Sequence, residues 1–247
     1  MDDLSKHYEQ VSKFFKSENL ISLSDNEHNY DGLNTMEILH LEKVNPKFTK
    51  FNKFKNINDL KNCNNDLKYL TANLYLYRPH INKPLEEFTF FQDKKVFTYL
   101  QNGPDWIYSM YVSCCFEKLY NYWDRIGDTL AYYFDLDIAE RQVTFAVIID
   151  KMKIIDGLLS DKNFKFLLDF KENEFKELND HRKEVVHYYQ FETTYQHEFL
   201  ENNSDENEIK RLWDWKKNMP EYFKNHLKQS CDGFVKTYEL IKTCPNN

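Results

Sequence analysis

The stretch GPDWIYSMYVSCCFEKLYNYWDRIGDTLAYYF, residues 103–134, decides the fold. Gly103-Pro104-Asp105 supplies a cap, a first-turn proline and a first-turn acid, the pattern that opens a helix. From there Trp106, Met110, Ser113, Phe116, Tyr120, Trp123, Gly127, Leu130 and Phe134 keep one face over about eight turns. This stripe is expected to be core. Gly127 and Ala131 on the same helix permit close helix approach, either within the chain or at a dimer seam.

Outward from this segment the helical pattern continues. Downstream, helices are predicted over about 138–159, 163–177, 180–200 and 206–218, with Met219-Pro220 restarting the chain into a last helix that reaches Lys242. Trp213, Trp215, Tyr222 and Phe223 read as core of the last helices. Upstream, residues 7–20 read as a helix and 21–33 as a polar loop. A second helical stretch begins near Asn34, and Asn45-Pro46 gives a further start. Asn56 to Asn65 reads as an Asn-rich loop, and 66–78 as a helix ended by Arg78-Pro79. Residues 85–101 fit short strands or buried helix. With only five Gly and six Pro in 247 residues, turns are too few for a β-sandwich. The expected fold class is all-α. A soft boundary at Asn102-Gly103-Pro104 divides an N-terminal helical extension, 1–102, from a helical domain, 103–245.

Charge and cysteine usage narrow the function classes. The formal charge is −7, and residues 1–100 carry equal numbers of acids and bases, so the whole deficit lies in 101–247. A nucleic-acid binder usually carries a basic excess, which argues against tight non-specific RNA binding by the second half alone. Cys63, Cys114, Cys115, Cys231 and Cys244 form no Cys-x-x-Cys pair and read as reduced thiols of a cytoplasmic protein. The opening Met1-Asp2-Asp3-Leu4-Ser5-Lys6 is not a signal-peptide pattern, and no apolar run reaches membrane-span length. No His-Glu-x-x-His, phosphate-binding Gly loop or Cys cluster appears, so neither a metal nor a cofactor is expected.

The segment that carries chemistry is Asn179-Asp180-His181-Arg182-Lys183-Glu184-Val185-Val186-His187-Tyr188-Tyr189. Read as a helix start capped by Asn179 or Asp180, it would place Arg182 among free N–H groups at the positive end of the dipole, a setting for phosphate. His187 is the side chain best suited to move a proton near neutral pH. An enzyme that deprotonates the 2′-hydroxyl of RNA and steadies the phosphorane with Arg needs no metal. The rival reading is a solvated helix start. His181 reads as a second proton carrier or, more simply, as an exposed residue at that start. One of the adjacent Tyr188 and Tyr189 should be core.

Arg182, four residues, His187, one residue and Tyr189 resemble the Arg-x4-His-x-Tyr motif of HEPN toxins, and the resemblance covers about 103–245. It implies a helical bundle in which two protomers pool their Arg and His residues. It further implies an endoribonuclease of toxin or phage-defence type, cutting single-stranded RNA to a 2′,3′-cyclic phosphate. Arg182 would clamp the phosphate, and His187 would act as base or acid. Tyr189 matches the tyrosine that a partner nucleotidyltransferase antitoxin modifies in some pairs. Where many members have Asn, Asp or His after the Arg, this chain has Lys183, and His181 precedes the Arg instead. That departure keeps open a catalytically inactive HEPN module that binds a nucleotide or a protein partner. Separately, Lys47, Lys50, Lys53 and Lys55 interleave with Phe48, Phe51 and Phe54. They form either a basic arm that stacks single-stranded RNA or an amphipathic turn that buries the rings.

Overall fold

The computed structural model describes residues 2–26, 29–30, 33–34, 37, 40, 48, 51–134 and 136–243. Its helices are α1 (Asp2–Ser17), α2 (Lys53–Tyr77), α3 (Gly103–Tyr133), α4 (Phe145–Met152), α5 (Lys162–Glu172), α6 (Glu174–Arg182), α7 (Phe191–Glu201), α8 (Glu206–Lys217) and α9 (Met219–Thr243). A π-helical segment, Lys183–Tyr188, follows α6 directly. Besides short 3-10 turns, two antiparallel hairpins are described, β1 (Asn29–Tyr30) with β2 (Leu33–Asn34), and β3 (Phe88–Phe91) with β4 (Lys94–Phe97). The architecture is all-α, and among the described residues strand is confined to these small ribbons.

Two compact units share the chain. The first takes residues 1–20, 67–117 and 180–225, and the second takes 21–66, 118–179 and 226–247. The second unit is built around Trp123, whose ring stacks on Phe170 at 4.0 Å and meets Phe145 at 4.8 Å. Gly127 lets α3 approach Phe145, because a Cβ there would lie 2.8 Å from the Phe145 nitrogen. Of the two roles open to Gly127, packing within the chain is the one observed. Gly233 is equally constrained, since a Cβ would sit 2.4 Å from the Trp123 ring.

The Asn-rich stretch 56–65, expected as a loop, is helical and forms the first half of α2. Asn ranks low in helix propensity because its amide competes for backbone groups. Here the amides are used by tertiary partners. Asn64 accepts from the Leu23 N–H at 2.7 Å and donates to Ser230 Oγ at 2.6 Å. Asn56 Oδ1 accepts from the Thr129 hydroxyl at 2.8 Å.

The first unit holds a cluster of Phe97, Tyr195, Phe199, Ile209 and Leu212. Against it packs the β3–β4 hairpin, the strand option for 85–101. Its two-residue turn holds Gln92 at φ 49° and Asp93 at φ 61°, the left-handed pair that matches the twist of a tight hairpin.

The α3 stripe departs from expectation at its start: Trp106 is 59% exposed and Met110 42%, while Tyr108, Val112 and Cys115 are buried. The nine stripe positions advance 3.5 residues at a time. On a 3.6-residue helix such a stripe drifts about 20° per heptad, or about 80° over four heptads. A stripe centred on the core at Trp123 has therefore turned toward solvent by Trp106. The helix expected over 138–159 is shorter, Phe145–Met152, with Thr144 as its cap accepting from the Val147 N–H at 3.4 Å.

Candidate functional site

The helix expected to begin near residue 180 begins earlier. The chain breaks at Asn173 (φ −106°, ψ −87°), and α6 starts at Glu174, held by the buried Phe175 and Leu178. Asn179 and Asp180 are therefore inside a helix, and Arg182 is its last residue, with helical φ −61° and ψ −41°. The sequence reading that put Arg182 in a first turn with free N–H groups is corrected. Asn173, not Asn179, supplies the interruption, and the positive end of the α6 dipole lies away from Arg182.

His181 is half-buried rather than exposed. Its ring lies 5.9 Å from Phe116, 6.0 Å from Trp215 and 6.3 Å from Tyr222. Lys183 is exposed and lies 3.4 Å from the Asp180 carboxylate.

After Arg182 the winding changes. The Tyr189 N–H donates to the Glu184 carbonyl at 2.9 Å, an i→i−5 bond, and Val185 is buried beneath the turn. In an α-helix, residues five apart stand about 140° from one another around the axis. An i→i+5 turn returns the fifth residue over the first instead. The π winding thus brings backbone positions 182 and 187 toward one side of the chain. His187 lies in this segment, but its side chain, like those of Val186 and Tyr188, is outside the described ones.

Tyr189 leaves the π turn in extended conformation and is 64% exposed. It lines an open pocket of about 640 Å³ with Glu184, Thr193, Thr194, His197 and Glu198. The last four stand on one face of α7, spaced three and four apart. His197 Nδ1 lies 3.5 Å from Glu201, and Glu198 lies 3.5 Å from Arg211.

What fixes α7 beside this segment was not singled out in the sequence. Lys216, with 3% of its side chain exposed, reaches Glu192 Oε2 at 2.8 Å and Asp105 Oδ1 at 3.1 Å. Glu192, in the first turn of α7, also accepts from the Tyr99 hydroxyl at 2.6 Å and from the Ser109 hydroxyl. The other Asp105 oxygen accepts the Asn82 and Asn102 N–H groups, both at 3.1 Å. Burial, then the bond to Glu192, push the Tyr99 phenol well above its ordinary value. A signal for the cluster does exist: Ile209, Leu212 and Lys216 stand at i, i+3 and i+7, so a lysine occupies the apolar stripe of α8.

The basic segment divides differently. Phe48 is buried, Phe51 stacks on Tyr132 at 4.1 Å, and Phe54 is 63% exposed. Lys53 and Lys55 open α2, while Lys47 and Lys50 lie outside the described residues. Lys55 lines a pocket of the second unit whose charged wall includes Arg125, bonded to Asp59 at 2.7 Å and Asp128 at 3.2 Å. Cys63, Cys114, Cys115 and Cys231 are free thiols. Burial raises the Cys115 thiol well above its ordinary value. No helix among the described residues is long and apolar enough to cross a membrane.

No curated protein and no solved structure matches the chain. A family model does: that of the Cthe2314-like HEPN proteins matches residues 59–242, a span that takes in α2 from Asp59 as well as every helix from α3 to α9. With most of its length matched, the chain belongs to the HEPN superfamily.

Proposed function

We propose that this HEPN protein is a cytoplasmic, metal-independent RNA endonuclease of the toxin or phage-defence kind, acting as a homodimer. The observation that carries the reading is Arg182-x4-His187-x-Tyr189 in a HEPN chain, with Arg182 and Tyr189 flanking the π-wound segment Lys183–Tyr188 and His187 within it. Single-turn π segments occur frequently at functional sites, and this one falls on the motif. Arg182 holds a phosphate of single-stranded RNA and neutralises charge as the phosphorane forms. His187 takes the proton of the 2′-hydroxyl or returns one to the 5′-oxygen leaving group, the two tasks being shared across two protomers. The 2′-oxygen attacks its own phosphorus, the P–O5′ bond breaks, and a 2′,3′-cyclic phosphate remains. Tyr189, exposed on the pocket wall, is accessible to a modifying nucleotidyltransferase antitoxin.

Purified protein should cleave single-stranded RNA in the presence of EDTA, because the nucleophile belongs to the substrate. A 2′-deoxy or 2′-O-methyl group at the cut site should block the reaction. Cleavage of DNA at an equal rate, or loss of activity in EDTA, would refute the 2′-hydroxyl mechanism. Two observations favour a second reading, a silent module that binds a nucleotide or a partner chain. Lys183 stands where many members carry Asn, Asp or His, and two glutamates, Glu184 and Glu198, line the Tyr189 pocket. Harmless expression together with no RNA cleavage would select that reading.

A further inference from the structure

The pocket beside Tyr189 has an unusual wall for a protein that handles RNA. Two glutamates line it, and among the described residues no lysine or arginine does. Carboxylates repel a phosphate but suit a group that presents hydrogen-bond donors, because an ionised carboxylate only accepts. Glu198 lies 3.5 Å from Arg211 and is partly committed. Glu184 is exposed, and among the described residues no side chain pairs with it. The π turn sets Glu184 beside Tyr189. In α geometry, positions five apart would stand about 140° from one another. The 2.9 Å bond from the Tyr189 N–H to the Glu184 carbonyl closes that angle and brings both residues to one pocket. An acceptor and an exposed aromatic ring thus share one rim. From α7, Thr193 and Thr194 add hydroxyls that donate as well as accept.

We infer that this pocket binds a guanine base, stacked on Tyr189 and donating its N1–H and N2–H groups to the Glu184 carboxylate. The edges of the bases decide the choice. Guanine presents two donors side by side, which match the two oxygens of one carboxylate. Adenine and cytosine set a ring-nitrogen acceptor next to the amino group, and uracil flanks its single N–H with carbonyls. Each of these turns a lone pair against a carboxylate oxygen. The Thr193 and Thr194 hydroxyls supply donors for O6 and N7, the acceptors of guanine. An aromatic ring stacks any base, so Tyr189 supplies affinity and Glu184 supplies discrimination. A guanidinium offers the same pair of donors but nothing for the threonines, and a pocket of about 640 Å³ far exceeds it. The base belongs to single-stranded RNA or to a free guanine nucleotide, and the recognition chemistry is the same for both. Glu184 and Tyr189 each stand two residues, about half a turn, beyond Arg182 and His187. A base held here is therefore set apart from the reacting phosphate, and the inference does not rest on the RNA-cleavage reading.

Binding to the full chain is measured with 2′-O-methyl RNA hexamers, which lack the attacking hydroxyl, made of uracil with one test base. In parallel, guanosine and inosine monophosphate are titrated by calorimetry. The guanine ligand should bind at least about tenfold more tightly than the inosine one, which keeps N1–H but lacks the amino group that bonds a charged acceptor. Adenine and cytosine should fare no better than inosine. Glu184→Gln changes an exposed side chain, so melting temperature should hold while the preference for guanine over inosine disappears. Tyr189→Phe keeps the ring and should bind as the wild type does, whereas Tyr189→Ala should weaken every hexamer about tenfold. Preference shown by the monophosphates and not by the hexamers identifies a free nucleotide as the source. No preference in either series overturns the inference, and so does a preference that survives Glu184→Gln. Displacement of the guanine ligand by methylguanidinium at equal concentration would assign the pocket to an arginine side chain and overturn it too. Guanine binding without RNA cleavage leaves the inference standing and sinks only the enzymatic reading.

Discussion

Two stretches of the first unit use charge in opposite ways. In the Lys216–Asp105–Glu192 cluster every charged side chain is nearly sealed, with 3%, 2% and 12% exposed, and each reaches more than one partner. In the Arg182–Tyr189 segment Lys183 is exposed beside one aspartate, Tyr189 is open to solvent, and the backbone departs from α geometry. Burying a charge costs several kcal/mol (~) unless it is paired and hydrogen-bonded, so the first arrangement survives only complete. The second costs little and leaves polar groups available to a ligand. The cluster holds Glu192 in the first turn of α7, three residues after Tyr189, so the sealed stretch braces the start of the helix that follows the open one.

The largest effect expected on this contrast is chemical. His187→Ala should lower RNA cleavage by at least about a hundredfold, the lower end of what a positioned acid or base contributes. Arg182→Lys should recover little of the activity lost in Arg182→Ala, because the amine keeps the charge but not the planar fork. Melting temperature should move little in His187→Ala. A variant that loses activity and stability together would make this segment structural and erase the contrast.

Next in size is the effect on the brace. Lys216→Ala leaves two buried carboxylates without their cation and should cost about 3–5 kcal/mol, read from denaturant unfolding. Lys183→Ala, whose ion pair is exposed, should stay within about 0.5 kcal/mol. Equal losses in the two variants would show that burial of Lys216 does not decide its energetic role.

The sequence disclosed this arrangement unevenly. The helical class followed from few turn residues and a long periodic segment, and α8 and α9 begin where the expected 206–218 helix and the Met219-Pro220 restart put them. Asn56 and Asn64 misled because their helix is stabilised by partners more than sixty residues away, which local propensity cannot weigh. The motif residues were legible as a spacing, but not their setting. A π segment has no composition of its own, and the break at Asn173 resembles any polar helix position. Lys216 was hidden by an assumption, since lysine is read as solvated unless its position in an apolar stripe is counted.

The smallest effect is a pH dependence that tests whether the brace is as closed as its geometry implies. Tyr99 donates to Glu192, and its phenol is raised far above the ordinary 10.0 by burial first and by that bond second. Burial acts the same way on Tyr195, and on Tyr111, whose phenol is pushed up to about 12. A phenol whose folded value is raised holds its proton when the unfolded chain has already lost it. The stability it contributes is therefore complete below pH 10 or so and is lost as pH rises toward the folded value. Unfolding free energy should start to fall above about pH 8, as the unfolded chain ionises the Cys115 thiol that burial keeps protonated, and fall more steeply above about pH 9 as the phenols join. Tyr99→Phe removes one hydrogen bond, at a cost of about 0.5–1.5 kcal/mol at pH 7, and removes one titrating phenol. Its alkaline limb should consequently be shallower than that of the wild type, and the two curves should converge above pH 10. Parallel curves across the whole range would mean that Tyr99 ionises as freely in the folded protein as in the unfolded chain, and that water reaches Glu192.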